Sequence, residues 1–248
     1  MIENIFILPI IGVCVGFISG FFGIGGGAIL VPVLLFFGYD LKLAIASASM
    51  LMLTCAIYGS YLNYKRAKYE LKSALILGLG AAFGSLFSGF IVLALPEIVL
   101  KITLLCVIGF NFYRLFRTNV YEGSSDINLS YFTLFIIGAL IAAFAISIGM
   151  GGAVFLTPIL VGILGLDIKK AISMGLFFVI FSSFGGFISM SFAGLVDFKT
   201  GAILSIGGLL GVYFGTLAHH HIEKQRQKYC LLALNVVTFS LVLKSILF

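Results

Sequence analysis

Two glycine-rich blocks hold the residues best suited to chemistry in this chain. Gly23-Ile24-Gly25-Gly26-Gly27-Ala28-Ile29-Leu30-Val31-Pro32 aligns with Gly149-Met150-Gly151-Gly152-Ala153-Val154-Phe155-Leu156-Thr157-Pro158. Glycine frees the backbone to leave helical geometry and to approach a ligand closely. The apolar segments that follow, Ala28–Phe37 and Val154–Leu164, are each long enough for only half a bilayer. Their first N–H groups lack intrahelical acceptors and form the positive end of a helix dipole, an arrangement that receives anions. Pro32 and Pro158 are expected in or just after the first turn, where a missing N–H matters least. The candidate anion-binding backbone is thus Gly23, Gly25, Gly26 and Gly27 in one block and Gly149, Gly151, Gly152 and Ala153 in the other. The competing reading is close helix packing by small residues, but duplication of a whole block with its proline exceeds what packing needs.

Small hydroxyls are the next candidates, because a neutral donor serves an anion without the cost of burying a cation. Ser47, Ser49 and Thr54 lie on the span after the first block and Ser173 on its counterpart. Such hydroxyls also bond across helices or back to their own helix, and Ser47 and Ser49, two residues apart, cannot face one point. Asp40 and Asp167 match across the two blocks, each just before a span. They read either as helix N-caps or as proton-coupling carboxylates at the mouth. His219-His220-His221 points around a helix rather than to one side, and the four cysteines, Cys14, Cys55, Cys106 and Cys230, read as buried packing residues with no metal-ligand spacing. No metal or cofactor is expected.

The elements that position these residues follow from composition. The chain has 248 residues, is 61% hydrophobic and only 10% charged, with mean hydropathy +1.22. A soluble domain carries about 25% charged residues, and disorder needs less apolar matter and more charge. Long apolar runs separated by short polar breaks must be helices, which satisfy their own backbone in hydrocarbon, and at about 20 residues per crossing the chain holds eight to ten membrane segments. The net charge of +6 sits in short loops and signals orientation rather than nucleic acid. The N-terminus has no basic leader region, so the first run is expected to be retained.

The blocks belong to a longer internal repeat. Asp40-Leu41-Lys42 matches Asp167-Ile168-Lys169, Glu70-Leu71-Lys72 matches Asp197-Phe198-Lys199, and Gly80, Gly84 and Ser88 match Gly207, Gly211 and Gly215. The last sets read as helix-contact faces. Residues 1–117 form the first repeat, 118–130 a cytoplasmic linker and 131–248 the second repeat. Each repeat opens on a run too long for one crossing: the 33 residues of Ile5–Phe37 would reach about 50 Å against about 30 Å of hydrocarbon. If each run returns to its own side, Lys and Arg divide 11 to 4 between the two faces; if each crosses once, they divide 8 to 7. The positive-inside rule prefers the first. The expected fold is an all-α integral membrane protein of two inverted repeats, each a broken-helix hairpin followed by three transmembrane helices, with both termini outside. Whether each long run holds two full spans or two half-length helices stays open.

The first glycine block, its degenerate copy at 149–158 and Ala46-Ser47-Ala48-Ser49 resemble the TauE/SafE family of sulfite exporter-like and sulfonate uptake permeases. The second block departs from the pattern at Ala153. The resemblance spans nearly the whole chain and implies a plasma-membrane permease for a small sulfur-containing anion such as sulfite, thiosulfate, a sulfonate or sulfoacetate. No Asp, Glu, Lys or Arg lies at the centre of any span, which argues against an intramembrane enzyme or a carboxylate-lined pump. Partners are then the small anionic substrate and the lipid bilayer, with no nucleic acid; assembly as a homo-oligomer is compatible with the sequence. Alternating access by relative movement of the two halves about the paired blocks is the expected mechanism. A passive anion channel or a non-transporting membrane subunit of a complex are the alternatives.

Overall fold

The computed structural model describes residues 7–64, 71–117, 130–162, 168–221 and 224–247. All regular structure among them is helical: α1 (Ile7–Phe22), α2 (Gly27–Phe36), α3 (Leu41–Tyr64), α4 (Leu71–Ser85), α5 (Ser88–Ala94), α6 (Glu97–Arg117), α7 (Tyr131–Ser147), α8 (Ala153–Gly162), α9 (Ile168–Phe192), α10 (Phe198–His221) and α11 (Lys224–Leu247). Among the described residues, five segments are long and apolar enough to cross a membrane: Leu41–Leu62, Lys72–Ala94, Met174–Phe192, Phe198–Ala218 and Tyr229–Leu247. Large apolar side chains such as Phe90, Phe132, Phe192 and Leu140 point outward, as a lipid-facing surface requires. Cys14, Cys106 and Cys230 are also exposed, and Cys55 alone of the four is buried, a departure from the expected all-buried set.

Both long runs are broken. In the first, α1 has 16 residues and α2 has 10, so α2 rises only about 15 Å. Pro32 falls just after the first turn of α2, and the helix continues past it to Phe36. In the second run α7 ends where the Gly149 and Met150 N–H groups donate to the Ile146 and Ala145 carbonyls at 2.9 and 2.8 Å, the paired bonds of a Schellman C-cap.

Glycine faces set the relative directions of α1, α3, α4, α7, α9 and α10. Along α1 and α10, Gly12 meets Leu204, Gly16 meets Gly208 and Gly20 meets Val212, so the two run parallel. Along α3 and α10, Gly201 meets Met50, Gly208 meets Cys55 and Gly59 meets Val212, again parallel. Since α1 and α3 share a direction, α2 carries the chain back between them. Likewise α7 and α9 each run parallel to α4: Gly80 and Gly84 meet Phe135 and Ala139, while Gly78 meets Phe181 and Gly185 meets Ala82. Gly59, late in α3, touches Leu176, early in α9, so α3 and α9 are antiparallel. Two triads result: α1, α3 and α10 point one way, and α4, α7 and α9 the other. A Cβ at Gly80, Gly84, Gly207, Gly211 or Gly215 would collide with a carbonyl oxygen of the facing helix, which makes these the helix-contact faces the sequence suggested.

The span after α3 differs from its counterpart α10 in being split into α4 and α5. Ser189 of α9 reaches into the break, donating to the Leu86 carbonyl at 2.6 Å and accepting from the Gly89 N–H at 2.9 Å. A side chain inserted into the backbone ladder is a regular cause of such interruptions.

Candidate functional site

The break between α1 and α2 is built from three glycines with positive φ, Gly23 (68°), Gly25 (77°) and Gly26 (79°); the break between α7 and α8 repeats them at Gly149 (76°), Gly151 (74°) and Gly152 (83°). Left-handed backbone at these angles penalises any residue with a Cβ, so conformation demands these six glycines, whatever packing adds. Gly26 caps α2 in the left-handed region, and its carbonyl accepts from the Ile29 and Leu30 N–H groups, as the Gly152 carbonyl accepts from Phe155 and Leu156. The N–H groups of residues 24–28 and 151–154 donate to no backbone carbonyl among the described residues. All of these residues except Val154 are buried. Buried N–H groups without partners are rare, and here two clusters of them occur at equivalent places.

The two breaks touch. A Cβ at Gly27 would strike the Gly149 carbonyl oxygen, and one at Gly151 would lie 3.5 Å from the Ile24 oxygen. The contacts are also reciprocal. Gly26 is covered by Leu51 and Gly152 by Phe178, each from its own half; Gly25 is covered by Val179 and Gly151 by Met52, each from the other half. Gly27, Ala153 and the segments behind them therefore present two helix N-termini to one buried centre between α3 and α9. Among the described residues no Asp, Glu, Lys or Arg is buried and no cluster of His, Cys, Asp or Glu could hold a metal, so the centre is lined by neutral dipoles and apolar side chains.

The hydroxyls separate into used and unused. Ser49 donates to the Ala46 carbonyl at 2.6 Å and Thr54 to that of Leu51 at 2.9 Å, so both are spent on their own helix. Ser47 is fully buried and has no partner. The side chain of Ser173 and all of Asp167 lie outside the described residues, as do the side chains of His219–His221. Asp40 is exposed and caps α3, accepting from the N–H groups of Lys42 and Leu43 at 3.0 and 3.3 Å. Asp197 caps α10 in the same way: the Thr200 hydroxyl donates to it at 2.6 Å, and that bond, with the N–H groups of Thr200 and Lys199, holds its carboxyl below the ordinary carboxylate value.

Sequence reasoning missed Ser19, Ser205 and Thr216, each buried without a partner, and Ser182, whose hydroxyl donates to the Gly151 carbonyl at 3.0 Å. Ser19 had a legible signal. It stands one turn before Gly23 in an otherwise apolar run, and its repeat counterpart is Ala145.

Apolar helices, broken spans and a buried, charge-free centre of unpaired backbone donors define a multi-pass membrane protein built around an interior polar site. The chain belongs to the sulfite exporter TauE/SafE family, which it matches over residues 8–241, and is a membrane transporter of that family. It is 25% identical over 206 residues to the probable membrane transporter protein YdhB of Bacillus subtilis (strain 168), covering 81% of this chain and 84% of that protein. It is similarly 25% identical over 197 residues to the probable membrane transporter protein MJ0441 of Methanocaldococcus jannaschii, covering 75% and 73%. No solved structure matches the chain.

Proposed function

We propose that this protein is a permease that moves a small sulfur-containing anion, of the sulfite, thiosulfate, sulfonate or sulfoacetate type, between two glycine breaks. The observation that carries the reading is the contact between two buried, equivalent breaks whose N–H groups have no acceptor. An anion at a helix N-terminus gains hydrogen bonds and a favourable dipole, and a substrate that supplies the missing acceptors removes the cost of leaving those donors unpaired. Gly25, Gly26, Gly27, Gly151, Gly152 and Ala153 supply the backbone cradle, with Ser47 as the hydroxyl left free to assist, whereas the Gly23 and Gly149 N–H groups are already spent on the Ser19 and Ile146 carbonyls at 2.8 and 2.9 Å.

The halves, residues 1–117 and 131–248, are inverted copies. Three features support this: the opposed directions of α1 and α7, of α3 and α9 and of α4 and α10; the repeated left-handed glycines; and the grouping of ends. Lys42 bonds the Leu93 carbonyl at 3.5 Å, Lys101 bonds that of Ser245 at 3.3 Å, and Lys244 lies 4.6 Å from the Phe36 ring centroid. These contacts gather the ends of α2, α5 and α11 and the starts of α3 and α6 on one side, as inversion requires. That side is the sparsely basic one, so both termini face outward across a plasma membrane. Alternating access proceeds by movement of the α1–α3–α10 triad against the α4–α7–α9 triad about the shared centre.

The test is counterflow in proteoliposomes with sulfite, thiosulfate, sulfate, sulfonates and simple carboxylates, with and without a pH gradient. Saturable exchange of at least one sulfur oxoanion is expected, and Gly26→Leu or Gly152→Leu should abolish it while the protein still inserts. Absence of any anion flux in folded wild-type protein, or normal flux in either variant, refutes the reading.

A further inference from the structure

We infer that the anion travels along a file of hydroxyls contributed by the α1–α3–α10 triad, Ser47, Ser205, Ser19 and Thr216, with Ser19 as the polar side chain that meets it at the first glycine break. The inference rests on the transport reading above and names the route and a recognition residue for it.

Ser19 and Ser47 are 0% exposed, Thr216 2% and Ser205 4%, and all four hydroxyls lack any hydrogen-bond partner. Serine and threonine in an apolar helix ordinarily donate back to their own helix. That outlet is used at Ser49, Thr54, Ser85, Ser88 and Ser147, so four unused hydroxyls in one triad need a different explanation. Their positions form a series. Placed by the contacts between the helices, where Gly12 meets Leu204, Gly201 meets Met50 and Gly208 meets Cys55, they follow one another in the order Ser47, Ser205, Ser19 and Thr216 over roughly 25 Å at about 1.5 Å per residue.

Their faces converge as well. Ser205 lies between Gly201 and Gly208, which meet Met50, Leu51 and Cys55 of α3, and Ser47 is one turn before Leu51. Ser19 Cβ lies 3.3 Å from the position of a Cβ on Gly26, the cap of α2, and Thr216 Oγ1 lies 2.9 Å from that of a Cβ on Gly20. The α2 N-terminus thus has a fully buried, unpaired hydroxyl beside it.

Among its described residues the opposite triad holds no such series. The repeat counterparts of Ser19, Ser47, Ser205 and Thr216 are Ala145, Met174, Gly78 and Gly89, none with a hydroxyl. The Phe181 ring fills the space at Gly78 and Phe178 that at Gly152. Ser182 and Ser189 are engaged with the carbonyls of Gly151 and Leu86. Ser191, the remaining hydroxyl without a partner, is only half-buried at the end of α9 and stands outside the series. Among the described residues, the unpartnered hydroxyls that are at least nine-tenths buried therefore all stand on the side of the first break, while at the second break Ser182 is held by the Gly151 carbonyl and Thr157 lies half-buried beside Gly175.

Two measurements on the full-length protein in proteoliposomes decide the matter. In a background with the native cysteines replaced, Ser19→Cys and Thr216→Cys are expected to react with a small water-soluble methanethiosulfonate about tenfold faster than Ala145→Cys and Met174→Cys, because thiol reactivity needs a wetted thiolate. Equal rates overturn the route along this file, and this readout holds even if none of the chosen anions is the substrate. In counterflow, Ser19→Ala and Thr216→Val should lose about tenfold in transport, the loss of one hydrogen bond to a charge, with thermal stability unchanged or raised because an unpaired buried hydroxyl has been removed. Ser88→Ala, already back-bonded, should transport normally. Unchanged transport in Ser19→Ala and Thr216→Val, or a transport loss that tracks a loss of stability, overturns the inference while leaving the permease reading standing; a wild-type protein that moves no anion would instead remove that reading.

Discussion

Gly26 and Gly38 allow the backbone and the surroundings of the glycine break to be weighed separately. Their φ angles are 79° and 80°, so an alanine at either site faces the same left-handed penalty of about 1–2 kcal/mol, partly offset by about 0.4–1 kcal/mol of lost freedom in the unfolded chain. At Gly38 a Cβ meets nothing within 4 Å, and Gly38→Ala should cost no more than about 1.6 kcal/mol. At Gly26 the same Cβ lies 3.0 Å from Val15 Cγ1 and 3.3 Å from both Leu51 Cδ2 and Ser19 Cβ. Crowding of a packed interior adds about 1–3 kcal/mol, so Gly26→Ala should be less stable than Gly38→Ala by about that amount. Reversible unfolding in mixed micelles measures the difference, and counterflow in proteoliposomes measures function, which Gly38→Ala should keep and Gly26→Ala should lose. If Gly26→Ala matches Gly38→Ala in stability and transports at the wild-type rate, the centre is neither tightly packed nor used by substrate, and the account of the break is wrong.

Gly211→Ala should separate α1 from α10, because its Cβ would strike the Val13 carbonyl and lie 2.5 Å from the Phe17 N; a loss of stability larger than that of Gly38→Ala is expected in the same unfolding assay. Ser189→Ala removes the donor to Leu86 and strands the Gly89 N–H, for an expected loss of about 1–3 kcal/mol, with hydrogen exchange rising at residues 86–90 before other parts of the span. Asp197 has a lowered carboxyl pKa in the folded protein, so its cap contributes fully above the unfolded value of about 3.9 and is lost as pH falls through the lower folded value. Acid titration followed by hydrogen exchange at the start of α10 should show that loss in wild type and a flattened profile in Asp197→Asn.

The sequence revealed the breaks because two physical demands coincide in them. A run of 33 apolar residues cannot cross a bilayer straight, and a glycine cluster in its middle marks where it turns. The repeat offset then identified the second break even though Ala153 weakens the pattern. What stayed hidden depends on neighbours distant in sequence. The split between α4 and α5 needs Ser189, about a hundred positions away, and nothing local at Leu86 or Phe87 announces it. Ser47 and Ser49 look alike in sequence, yet Ser49 is satisfied by its own helix and Ser47 is not; helix position alone does not separate them. The three outward-facing cysteines show the same limit, since an apolar residue in a membrane chain faces lipid as readily as core.

Packing also shows where the two repeats interlock. The closest backbone contacts do not lie within either repeat: α1 of the first joins α10 of the second, and α7 of the second joins α4 of the first, through glycines whose missing side chains let carbonyl oxygens rest against the neighbouring helix. Surfaces meshed at that distance cannot slide without riding up on one another, since packed interfaces switch between discrete arrangements rather than deforming smoothly. The tightest seams therefore join helices of different repeats. The contact between triads, α3 against α9, presents Met52 and Val179 to the breaks. Met52 is an unbranched side chain able to repack as its surroundings shift. A displacement centred there would alter the side from which the paired N–H clusters are reached without unpicking either glycine seam, which is the geometric requirement of alternating access.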